Sequence, residues 1–139
     1  MGEKMAVLEN VPSWMLVPLI CLILSLFTEL TSNVAVISIT MPIIAEMAMV
    51  LQMNPMKLMI PATLACTYAF MLPAATPPNA IVFSYGHLKV LDMVKTGFVL
   101  NLFAVFINVV ATHTWGAAIF NFNTLPPKLM EYHLNMTQS

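Results

Sequence analysis

Four long apolar stretches, set apart by short polar or proline-marked breaks, make up most of the chain. The first covers residues 14–27. As a helix it would rise about 21 Å, short of the roughly 30 Å hydrocarbon core of a bilayer, which suits one arm of a re-entrant hairpin. Extension back to Val11 nearly reaches a full span, so the sequence leaves that topology open. The second stretch, residues 34–51, is flecked with Ser38, Thr40, Pro42 and Glu46. It is better placed against protein than against lipid, with Ser38 and Thr40 read as interhelical packing groups and Glu46 near an aqueous end. The third, residues 58–88, contains no Asp, Glu, Lys or Arg, yet Pro73, Pro77 and Pro78 interrupt it. Each proline removes a backbone donor, clashes with the preceding turn and biases its predecessor away from helix. The pattern predicts a broken helix: residues 58–72, an extended bridge over 73–78, then 79–85. The fourth, residues 97–120, rises about 36 Å as a helix and can cross with some tilt, its Trp115 and Phe120 near one interface.

Composition points to lipid as the solvent. Hydrophobic residues make up 60% of the chain and charged residues 8%, against about a quarter charged in soluble domains. Five lysines and six acids are scattered singly, with a net charge of −1, so no nucleic-acid surface is expected. Cys21 and Cys66 sit in apolar runs and read as small buried hydrophobes. His87, His113 and His133 are isolated, no CxxC occurs and the methionines form no ladder, so no transition-metal site is expected. The first ten residues mix acids with a single Lys, which fits a signal peptide poorly. Ala6 stands where a myristoylation motif requires Ser or Thr.

The candidate chemistry lies where apolar sequence is interrupted, at Thr31-Ser32-Asn33 and from Pro73 to Asn79. Peptide groups without partners at membrane depth cost several kcal/mol each. Irregular backbone there survives only when buried in protein or lining a wet cavity. A helix ending near Leu30 leaves carbonyls for a hard cation. One starting after Ser32 or Asn33 aims N–H groups and a positive dipole end at an anion. Ser32 and Asn33 can equally be plain N-caps, and Asn79 either caps the helix after the double proline or faces the cavity. Glu29 is either a structural acceptor for N–H groups of the hairpin tip or part of an ion site. Two complementary breaks together are the usual pointer to a transporter site.

The stretches LFTELTSNVAVISITMPIIAEMA, NPMKLMIPATLACTYAFMLPAATPPNAIVFSYGHLKVLDMVKTG and THTWGAAIFNF together resemble the divalent anion:sodium symporter family, collinearly from Trp14 onward. The resemblance implies an all-α membrane protein: a re-entrant helical hairpin, a broken transmembrane helix and one continuous transmembrane helix. These would form the incomplete second inverted repeat of an elevator-type carrier that works as a homodimer in the bilayer. Its expected segments are a polar N-terminal stretch (1–13), the hairpin (14–51), the broken helix (55–90), the final helix (94–120) and an extracellular tail (121–139). The resemblance further implies substrate contacts at Ser32, Asn33, Val34, Thr76 and Pro77. Val34 stands where many members have Thr. It also implies a sodium site at Asn33 with the backbones of Thr28 and Thr31 and a facing carbonyl from Ala75. Sodium is then the co-transported ion, with no organic cofactor, and the partner is a dicarboxylate or tricarboxylate anion such as succinate or citrate, or alternatively sulfate.

Asn135-Met136-Thr137 is a glycosylation sequon, consistent with a plasma-membrane protein whose C-terminus lies outside, whereas lysine distribution gives no orientation. Only half of such a cavity fits in this length, so the expectation is that this chain alone does not transport and is a fragment, truncated gene product or short isoform. The runner-up is a regulatory or assembly membrane subunit. An intramembrane enzyme is disfavoured because Ser32 has no neighbouring His or Lys to activate it.

Overall fold

The computed structural model describes residues 13–122 together with Thr124 and Pro127. Residues 1–12, the Asn135 sequon and most of the 121–139 tail lie outside the described residues. Everything regular among the described residues is helical: α1 (Ser13–Thr28), α2 (Asn33–Val50), α3 (Met56–Ala65), α4 (Pro77–Ser84) and α5 (Val90–Ala111). A single π turn, Thr112–Gly116, then leads into α6 (Ala117–Phe120), where Asn121 ends the path in the left-handed region with φ 48°. Among the described residues, the two helical paths long and apolar enough to cross a membrane are Asn33–Val50 and Val90–Phe120.

α1 and α2 form a helical hairpin with α3 packed on both arms, and α5 lies across α1 and α3. Their common core contains Val17, Cys21 and Leu24 of α1, Ile44 and Ala48 of α2, Leu58 and Ala62 of α3, and Val105 of α5. Cys21, Ala48 and Ala62 are small and fully buried, which lets the helices approach closely, the packing that suits helices in lipid. The outward faces carry the bulk. On α5, Phe98, Leu102, Phe103 and Phe106 are exposed while Gly97, Asn101 and Asn108, with Thr112 of the π turn that follows, are buried. Large apolar groups outside and small or polar groups inside is the reverse of a water-soluble bundle.

α2 ends in a Schellman turn, with Met53 N–H bonded to Ala48 O (2.9 Å) and Gln52 N–H to Met49 O (3.0 Å). Gln52 takes φ 52°, where glycine is commoner. Asn54 then starts α3 by accepting from Met56 N–H through its side chain (3.1 Å).

Three expectations about the elements need correction. The final helix starts at Val90 rather than near residue 94 or 97, because Asp92 and Lys95 are compatible with a first turn although they break the uncharged run. The helix expected over 58–72 stops at Ala65, so the irregular stretch is Cys66–Thr76 and not a short proline bridge. Pro77 and Pro78 lie inside α4, in its first turn, where a missing N–H costs nothing. Finally, Ser38 and Thr40 do not bond between helices. Each hydroxyl donates to a carbonyl one turn back on α2, Val34 O (2.8 Å) and Val36 O (2.7 Å).

Candidate functional site

The two interruptions face each other across one cavity of about 570 Å³, within the 300–1,000 Å³ usual for small-ligand sites. Residues 29–34 form one wall and Leu72 with residues 74–77 the other. The cavity therefore brings together Ser32, Asn33, Val34, Thr76 and Pro77, and with them Thr31 and Ala75. Thr28 does not line it. Its side chain is fully buried beneath, donating from Oγ1 to Cys66 O (2.8 Å) and touching Asn33 Oδ1.

The hairpin-tip wall is rich in donors. Asn33 begins α2, and the first intrahelical bond runs from Val36 N–H to Ser32 O (3.0 Å), so the N–H groups of Asn33, Val34 and Ala35 precede the helical ladder. Ser32 holds the N-cap position with extended backbone (φ −63°, ψ 132°), yet its hydroxyl makes no capping bond. Capping therefore does not account for this side chain. Eighteen residues of α2 stand behind these donors, with the positive end of their dipole toward the cavity.

The opposite wall is built differently. Two of α4's first three residues are proline, which removes donors from its N-terminus. The N–H groups of Phe70, Met71 and Leu72 are consumed by Glu29. Phe70 and Met71 donate to Oε1 (2.7 and 2.9 Å), and Met71 and Leu72 donate to Oε2 (3.0 and 3.1 Å). Asn101 Nδ2 adds a further bond to Oε1 (2.9 Å). Glu29 is 3% exposed, and all these partners are neutral dipoles. It does accept backbone N–H groups, but those of the second break and not those of its own hairpin tip.

Asn79 closes the break from its other side. Its Nδ2 donates to Ala69 O (2.9 Å) and Leu72 O (3.0 Å), tying the start of α4 to the irregular segment that Glu29 holds. This role is neither the simple cap nor the cavity group considered for it. Ala75 N–H also bonds Leu72 O (3.2 Å). This wall brings Ala74, Ala75 and Thr76 to the cavity edge.

Around Thr28 the arrangement favours oxygen. Its one hydroxyl proton serves Cys66 O, so the Asn33 contact is satisfied by turning the amide to donate Nδ2 to the Thr28 hydroxyl. Carbonyl, hydroxyl and amide oxygens are the ligands hard cations take.

Sequence reasoning missed the inner face of α5. Gly97, Asn101, Val105, Asn108 and Thr112 recur every three or four residues, a single buried stripe. A Cβ on Gly97 would lie 2.4 Å from Phe70 O and 2.6 Å from Met71 Cα, so only glycine lets the second break dock there. Asn108 Nδ2 donates to Pro61 O (2.8 Å). The helical spacing of one glycine and two asparagines in an otherwise apolar run was the available signal. Cys21 and Cys66 are free, buried thiols.

Residues 1–122 match the family model described as "Sodium:sulfate symporter transmembrane region". The chain belongs to this family, the divalent anion:sodium symporters. It is 46% identical to the Na(+)/dicarboxylate cotransporter 3 of Rattus norvegicus over 136 residues, which is 98% of this chain and 23% of that protein. It is 47% identical to solute carrier family 13 member 2 of Homo sapiens over 126 residues, 91% of this chain and 21% of the relative. To the Na(+)/citrate cotransporter of Rattus norvegicus it is 44% identical over 135 residues, 97% of this chain and 24% of that protein. The chain thus spans about a quarter of the length of the curated relatives it matches. Those relatives are transporters, not enzymes.

Proposed function

We propose that this segment forms one half of the binding site of a sodium-coupled carrier for dicarboxylates or tricarboxylates. The observation that carries the reading is the pairing of a donor-rich helix tip with a proline-silenced, oxygen-bearing break across a single cavity. The names of the relatives, sodium/dicarboxylate and sodium/citrate cotransporters, support the same reading.

The substrate carboxylate is bound by the N–H groups that open α2, with Ser32, Asn33 and Val34 at the tip and Thr76 and Pro77 opposite. Sodium is held next to it by Asn33, the Thr28 and Thr31 region and a carbonyl at Ala75. Bound together, cation and anion neutralise one another in a low-dielectric setting, so each strengthens the other's binding. Transport is then a rigid displacement of hairpin and broken helix within a homodimeric, elevator-type carrier in the plasma membrane, with its C-terminus outside. No bond is made or broken. The segment works as part of that larger carrier and does not transport alone.

Uptake of labelled succinate by proteoliposomes holding the full-length protein, with and without a sodium gradient, tests the reading. Sodium-dependent accumulation with competition by citrate is expected, and sodium-independent or absent uptake overturns it. Sulfate is the second substrate to try, because the family description names it. Stronger competition by sulfate than by citrate would reassign the anion. Sodium-driven uptake by vesicles holding this chain alone would overturn the half-site reading.

A further inference from the structure

We propose that Asn101, which lies outside the cavity on α5, is a positioning residue for the cation and anion site and acts through Glu29. The proposal rests on the carrier reading above.

Asn101 is 4% exposed and its Nδ2 donates to Glu29 Oε1 (2.9 Å), the oxygen that also takes the N–H groups of Phe70 and Met71. Its own Oδ1 is buried and has no hydrogen-bond partner among the described residues. Turning the amide over would set that oxygen against the carboxylate, so the orientation is forced. A leucine would fill similar space without orphaning a polar atom. What the asparagine adds among the described residues is one directed bond to the carboxylate that shapes the second break.

One turn earlier, Gly97 lets the Phe70–Met71 backbone rest directly on α5. The helix therefore grips the break at two adjacent points, by contact at Gly97 and through Glu29 at Asn101. The gripped peptides lead straight into Leu72, Ala74 and Ala75 of the cavity wall. A loosened grip lets those carbonyls drift, and a cation held by a few oxygens at fixed distances is the ligand most sensitive to such drift.

The test compares Asn101→Leu and Asn101→Asp with the unsubstituted full-length protein in proteoliposomes. The readout is half-saturating sodium for succinate uptake together with the maximal rate at saturating sodium. Asn101→Leu should raise half-saturating sodium about tenfold with the maximal rate unchanged, the loss expected of one hydrogen bond to a charged group. Asn101→Asp replaces the donor with an acceptor facing Glu29 and should weaken sodium at least as much, again at an unchanged maximal rate.

Unchanged sodium dependence in Asn101→Leu or Asn101→Asp, or a fall in maximal rate with sodium affinity unchanged, overturns the assignment while leaving the carrier reading intact. Failure of both variants to reach the membrane folded would make Asn101 a folding residue and also overturn it. Absence of sodium-dependent uptake by the unsubstituted protein would overturn the carrier reading and this assignment together.

Discussion

The two interruptions that face the cavity differ in how they treat their own peptide groups. The first, residues 29–32, leaves the N–H groups at the start of α2 directed at the cavity and leaves the Ser32 hydroxyl without a capping role. The second, Cys66–Thr76, hides its donors. Three N–H groups go to Glu29, the carbonyls of Ala69 and Leu72 go to Asn79, and two prolines delete donors where α4 begins. One break is organised to present groups and the other to be held in shape. A site for an anion with its cation needs both, since oriented dipoles help only when they do not reorganise on binding.

Removing the holder should have the largest effect. Glu29→Gln replaces one acceptor oxygen with an amide donor aimed at N–H groups that already need a partner. Leaving buried N–H groups unpaired costs about 1–3 kcal/mol each, and the bonds that remain lose their charge assistance, so sodium-dependent uptake should fall more than about 100-fold. Thermal denaturation in detergent should show the loss of stability alongside. Wild-type uptake in this variant would mean that the second break holds its shape without Glu29.

Gly97→Ala comes next. The added Cβ meets backbone at 2.4 Å, which no side-chain rearrangement can relieve. A destabilisation of about 1–3 kcal/mol is expected from overpacking, visible as a lower melting temperature. Asn79→Ala should lose about 1–2 kcal/mol by freeing the Ala69 and Leu72 carbonyls. Its effect should be on the second break alone, detectable as faster proteolysis or hydrogen exchange at residues 66–76 than at the hairpin tip.

Ser32→Ala should be the mildest for stability and so sharpens the contrast. A capping serine costs about 0.5–2 kcal/mol when removed. This one makes no such bond, so the melting temperature should stay within the error of the measurement while the succinate concentration for half-maximal uptake rises severalfold. A clear loss of stability without a change in substrate affinity would restore the plain N-cap reading.

The hairpin tip was legible in the sequence because a polar triplet between two apolar runs is a local signal. The double proline and the long apolar run of α5 were legible for the same reason. The true extent of the second break was not. Nothing in Cys-Thr-Tyr-Ala-Phe-Met-Leu forbids a helix, and the residues that unwind it are distant: Thr28 takes the carbonyl of Cys66, and Glu29 takes the next free amides 41 to 43 positions along the chain. Asn101 and Gly97 were unread because within one apolar helix they look like minor interruptions. Only packing reveals that they lie on the inner face against that break.

By itself, the sequence determined the solvent, the helical content, the existence of two interruptions at the hairpin tip and the double proline, and the family. These follow from hydropathy, proline and local turn chemistry, which act within a few residues. Tertiary structure alone decided which backbone groups stay available at the cavity and which are consumed. A hydrogen bond goes to whichever partner is nearest in space, and here the deciding partners are tens of residues away.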